Sequence, residues 1–212
     1  LTFSCTGTSS CGAPYGSSPR SSSRSGGQAS ALICALFSSG EPDADGLPVA
    51  GHCLGSQLVA LALGGSVHRH TAPELGWNAL TTADDAQARV WWGPYAGQTL
   101  ETFQWHGDTF VPPAGARQLA SAPHCAHQVF VLRERHLLVQ SHLEMTPALV
   151  ELTMARNGAQ LLRQHAAGNP AASAPADLRR DLPARTAAMA GVLQQLYRRW
   201  AASVGQAGTG AG

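Results

Sequence analysis

Two segments of this 212-residue chain, Gly51-His52-Cys53-Leu54-Gly55-Ser56-Gln57 and Leu138-Val139-Gln140-Ser141-His142-Leu143-Glu144, hold residue types that could make and break a covalent bond. A nucleophile on a tight strand-to-helix turn needs very small neighbours, because the backbone there is crowded and strained. Gly51 and Gly55 stand two residues to either side of Cys53, as such a turn requires. A sulfur at a helix N-terminus is favoured as thiolate by the macrodipole and the free N–H groups. The N–H of Leu54 would face the same space and could stabilise an oxyanion. The competing reading of a single cysteine is a buried structural residue. His142 and Glu144 lie two apart at the end of an expected strand, where both side chains fall on one face. Glu144 could then orient an imidazole that serves Cys53. Alone, that pair reads equally as a surface histidine beside a solvated acid.

The elements that must position these groups are visible in the hydropathy pattern. Leu47–Gly51 reads as a short buried strand, Leu54–Leu63 as an apolar helix stopped by Gly64-Gly65, and Val67–His70 as the next strand. That order is a βαβ unit and predicts a sheet at least partly parallel. Arg89–Trp92, Gln98–Trp105, Gln128–Leu132 and Leu137–Ser141 read as strands, the last two joined by a hairpin turn at Arg133–His136. Thr146-Pro147 starts a helix, with Thr as N-cap and Pro at the first position. Met189, Val192, Leu193, Leu196, Tyr197 and Trp200 recur at helical spacing and give an amphipathic helix that docks on the body. Composition divides the chain into a Ser/Gly-rich segment 1–30, expected to be loop or disorder, a main domain 31–165 opened by a short helix Ala31–Phe37, and a segment 166–212 holding linker, helix and tail.

Charged residues are only 13% and net charge is +1, with the arginines scattered, so neither nucleic acid nor an anionic membrane is expected as partner. No apolar run approaches the ~20 residues of a membrane span, and no signal peptide is visible, which makes the cytoplasm the expected location. The five cysteines, Cys5, Cys11, Cys34, Cys53 and Cys125, form no CxxC pair, which argues against disulfides and against a zinc site. No metal and no cofactor is expected. His124-Cys125 lacks a second ligand pair, His68 and His70 suit a solvated strand face, and Trp91, Trp92 and Trp105 suit the core.

Together, Pro48–Gly65 and Leu138–Val150 resemble the nucleophile and closing segments of class I glutamine amidotransferases. Glu74-Leu75-Gly76-Trp77 looks like that family's Glu-x-Gly-Trp element. Trp105-His106-Gly107-Asp108 resembles its His-Gly-Asp loop, and Ser121-Ala122-Pro123-His124-Cys125 a later loop facing the pocket. The resemblance implies a flavodoxin-like three-layer α/β/α sandwich with a mostly parallel central sheet and the site at the strands' carboxyl ends. It implies that Cys53 attacks the glutamine amide, that His142 passes a proton to departing ammonia and that Glu144 holds His142. Leu54 N–H would be an oxyanion donor, while Gln57 and the backbone near Gly51 would bind substrate. A separate synthetase subunit would then accept the ammonia. Cleavage of γ-glutamyl amides or peptides on the same scaffold, or a catalytically dead binding module, are the rival functions. Ser141 and Leu143 stand where the family often has an aromatic and a proline. Residues 1–30 are expected not to build the usual first strands, which would leave the oxyanion hole one donor short.

Overall fold

The structure, a computed structural model, describes residues 2–3 and 48–206. Its elements are β1 (Thr2–Phe3), β2 (Ala50–His52), α1 (Leu54–Ala62), β3 (Ser66–Thr82), α2 (Ala86–Trp92), β4 (Thr99–Val111), β5 (Arg117–Ser121), β6 (Val129–Leu132), β7 (His136–Val139), α3 (Pro147–Ala166) and α4 (Leu182–Gln206). Seven strands form one sheet in the order β1-β2-β7-β6-β5-β3-β4. Side-chain alternation sorts the sheet into two packed faces. Phe130 and Leu138 join Val59 and Ala60 of α1 on one side. Their neighbours Val129, Val131, Leu137 and Val139 join Trp91 and Trp92 of α2 and Val192 and Leu196 of α4 on the other. This is the three-layer α/β architecture expected, and it explains why β6 and β7 are apolar at every position but one.

The pairing corrects one part of that expectation. Only β1-β2 and β2-β7 are parallel; the pairs β7-β6, β6-β5, β5-β3 and β3-β4 are antiparallel, so the sheet is mixed. The strand after α1 does not return beside β2 as a βαβ unit would. β3 runs 17 residues and pairs along most of its length with β4, a strand long enough to satisfy its backbone groups, at the far edge. Within the segment 1–30 expected as loop or disorder, Thr2–Phe3 forms a two-residue strand paired with Ala50 and Gly51; the rest of that segment lies outside the described residues. The expected helix Ala31–Phe37 lies outside the described residues.

Arg89–Trp92, expected as a strand, is the second half of α2. Asp85 caps that helix, accepting from the N–H groups of Gln87 and Ala88 at 3.0 Å each, and a strong cap before an Ala-rich turn outweighs the β preference of Val-Trp-Trp. Trp91 and Trp92 are fully buried, as expected of core; their indole N–H groups donate to Glu134 Oε2 and Leu119 O, both at 2.8 Å. Thr146 and Pro147 start α3 as expected, with Thr146 Oγ1 accepting from Leu149 N. Segment 171–173 is not slack: Leu75 N donates to Ala171 O at 2.9 Å and Ser173 N to Leu75 O at 2.9 Å. Gly76 has φ +88° there, with Ser173 packed where a side chain would be. Among the described residues, no helix is long and apolar enough to cross a membrane.

β7 also carries a pH sensitivity. Burial holds His136 down to a pKa of about 4, with Arg135 and Arg133 adding to the effect. The unfolded chain takes up that proton near pH 6.5, so the folded state loses stability as pH falls from there toward 4. Urea unfolding is expected to show about 3 kcal/mol of acid destabilisation from this residue, and His136→Leu should remove that component of the pH slope.

Candidate active site

Cys53 sits between β2 and α1 with φ 47° and ψ −111°, a conformation strained for a residue with a Cβ. Three hydrogen bonds hold it there. Cys53 N donates to Val139 O at 2.8 Å, and Cys53 O accepts from Ser56 Oγ at 2.7 Å and Gln57 N at 3.1 Å. Gly51 makes the turn possible: a Cβ on it would lie 2.5 Å from Gly55 C and 2.6 Å from Ser56 N. Leu54 is the first residue of α1, where backbone N–H groups have no partner inside the helix.

β7 runs beside β2, so the chain leaving β7 passes the cysteine. His142 N donates to Phe103 O at 2.8 Å, and this pins the residue to β4. The imidazole Nδ1 lies 2.7 Å from Glu144 Oε1, and the Cys53 sulfur is near enough to the ring to raise its pKa. Burial pulls the His142 pKa down, but the Cys53 sulfur and the Glu144 carboxylate outweigh it and hold the value well above the ordinary one. The strand reading of this segment needs correction. β7 ends at Val139, and His142 and Glu144 occupy the turn beyond it. They meet because the turn doubles back, not through strand alternation.

Gln57 is buried, and its Nε2 donates to Asp108 O at 3.0 Å and lies 3.4 Å from Gln140 Oε1. It ties the turn after Cys53 to β4. An open groove of about 340 Å³ runs past Leu143, Glu144, Pro147, Thr186, Ala190 and Leu193. It brings solvent to Glu144, whose side chain is 19% exposed.

Sequence reasoning missed His52. This residue is 1% exposed, with Nδ1 3.3 Å from Glu144 Oε2 and Nε2 3.0 Å from Tyr197 Oη of α4. Its position next to Cys53 was the available signal, but the approach of α4 is tertiary. His106, in the segment that resembles the His-Gly-Asp loop, is buried within β4, its Nε2 2.9 Å from Glu74 Oε2. Gln128 Nε2 donates to that same oxygen at 2.6 Å. Cys125 joins Glu74 and His106 rather than pairing with His124; the three donor atoms lie within 4.8 Å of one another. Cys125 Sγ is also 3.3 Å from Thr109 Oγ1, and burial holds its thiol pKa above the usual value. Cys53 and Cys125 are free thiols; Cys5, Cys11 and Cys34 lie outside the described residues.

A mixed sheet between helical layers, with a cysteine on a strained elbow and a His-Glu pair on the turn after β7, defines a three-layer α/β protein. The sequence pattern described as "Glutamine amidotransferase class-I" matches residues 20–161, about two thirds of the chain, and the chain belongs to that family. A glutamine-hydrolyzing GMP synthase subunit from Sulfolobus acidocaldarius is 33% identical over 101 residues, which are 47% of this chain and 52% of that protein. The chain thus spans about half the length of the curated relatives it matches. A crystal structure of a glutamine amidotransferase from Methylobacillus flagellatus superposes with a TM-score of 0.73 at 31% identity, covering 83% of this chain and 68% of that one. One from Thermotoga maritima superposes with a TM-score of 0.65 at 24% identity, covering 82% and 68%, and so shares the fold.

Proposed function

We propose that the chain hydrolyses the side-chain amide of glutamine to glutamate and ammonia through a thioester on Cys53. The observation that carries this reading is the convergence of the Cys53 sulfur, His142 and Glu144 from separate segments. Cys53 Sγ attacks the amide carbon, and the developing oxyanion is met by the N–H of Leu54 at the start of α1. His142, its charged form favoured by Cys53 and Glu144, gives its proton to the nitrogen as the C–N bond breaks, and ammonia leaves. The neutral imidazole then takes a proton from water, which attacks the thioester and frees glutamate and the sulfur. Glu144 holds the ring's orientation throughout. Gly51 and Gln57 serve substrate binding by shaping the turn and fixing Asp108 and Gln140 beside it. The Sulfolobus relative is by name one subunit of a synthase, which supports a separate synthetase polypeptide as the ammonia acceptor.

Treatment with an electrophilic glutamine analogue tests the assignment. The expected result is one adduct per chain by mass spectrometry, mapped to Cys53 and suppressed by excess glutamine. Adducts distributed between Cys53 and Cys125, indifferent to glutamine, would refute it.

A further inference from the structure

We infer that His52 is a positioning residue, which couples the Glu144 carboxylate to Tyr197 and makes α4 part of the catalytic apparatus. The inference rests on the glutaminase reading of Cys53, His142 and Glu144. Each oxygen of Glu144 faces a different imidazole: Oε1 meets His142 Nδ1 at 2.7 Å, and Oε2 meets His52 Nδ1 at 3.3 Å. His52 Nδ1 donates to Ser141 O at 3.4 Å, which holds the ring against the turn that carries Glu144 and keeps the carboxylate oxygen alongside it. On the other side of the ring, Nε2 is 3.0 Å from Tyr197 Oη, and the two rings meet edge-on with centroids 5.8 Å apart.

The proton inventory fixes the direction of these bonds. Ser141 O beside Nδ1 can only accept, so Nδ1 carries the neutral ring's hydrogen and the Tyr197 phenol, which burial and then the nearby Glu144 charge push up to about 12, donates to Nε2. Burial likewise lowers the pKa of His52; Glu144 opposes this, His142 adds to it and the Ser141 carbonyl opposes it. The ring therefore stays neutral with its one hydrogen on Nδ1, donated to Ser141 O, and its dipole lies beside Glu144 Oε2. A neutral donor steadies the carboxylate without cancelling the negative charge that His142 needs. A second imidazolium here would compete with His142 for Glu144 and repel it. Tyr197 fixes the tautomer by occupying Nε2, as orienting partners do for metal-bound histidines.

The test assays glutamine hydrolysis by wild type, Cys53→Ala, His52→Leu, His52→Asn and Tyr197→Phe, with folding checked by circular dichroism. His52→Leu is expected to lower kcat by about 10–100-fold, the range found when orienting partners are removed, with KM changed by less than about 3-fold. Asn places a side-chain N–H near the Nδ1 position, so His52→Asn should recover at least about a third of the lost kcat on a logarithmic scale. Tyr197→Phe should lower kcat several-fold at constant KM. Wild-type kcat in His52→Leu, or equal losses in the Leu and Asn variants, would overturn the positioning role. If His52→Leu does not fold, unaltered kcat in Tyr197→Phe overturns it instead. Turnover persisting in Cys53→Ala would overturn the glutaminase reading, and is separable because the His52 variants leave the thiol in place.

Discussion

Cys53→Ala is expected to abolish glutamine hydrolysis, a drop of at least about 10⁴-fold, while leaving the fold intact. The magnitude follows from the covalent route. Without the sulfur no thioester can form, and loss of a nucleophile in a comparable triad costs about 10⁶-fold. Cys125 cannot substitute, since it is buried beside Thr109, Glu74 and His106 on the β4 side of the sheet. Ala relieves nothing but the thiol, because φ 47° at position 53 strains any residue with a Cβ. The comparison is a steady-state assay of ammonia release, with Cys125→Ser expected to stay within about 3-fold of wild type. Equal rates in Cys53→Ala and wild type would show that this thiol carries no turnover.

Gly51→Ala is expected to damage stability and turnover together. Its Cβ would meet three backbone atoms, Gly55 C at 2.5 Å and Gly55 O and Ser56 N at 2.6 Å each. No rotamer change can relieve a clash with main chain, so α1 must shift away from β2. Overpacking of this kind costs about 1–3 kcal/mol and sometimes more, and a nucleophile misplaced by about 1 Å loses about 10²-fold in rate. Thermal unfolding and kcat measured on one preparation separate the two effects. A variant that melts like wild type and turns over normally would mean that the turn tolerates a side chain.

The nucleophile turn was legible because its constraint is local. Gly at 51 and 55 around a cysteine between an apolar strand and an apolar helix leaves few other solutions. The Thr146-Pro147 start of α3 and the buried Trp91 and Trp92 were legible for similar reasons. Strand order was not, because the choice of β4 over β2 as the partner of β3 depends on competing pairings far apart in sequence. Arg89–Trp92 misled because side chains that favour strands sat behind a cap that dictates helix. His52 escaped notice because its partners, Glu144 and Tyr197, are far along the chain, the second of them 145 residues away.

The hydrogen bond from Cys53 N to Val139 O has a consequence for how the protein fails. β2 and β7 are interior strands with neighbours on both sides, so the nucleophile's amide can meet deuterium only when the middle of the sheet parts. Heat inactivation and loss of tertiary structure should therefore trace one curve. A molecule that opens the β2–β7 seam, or lets β4 release His142, loses the arrangement of Cys53, His142 and Glu144.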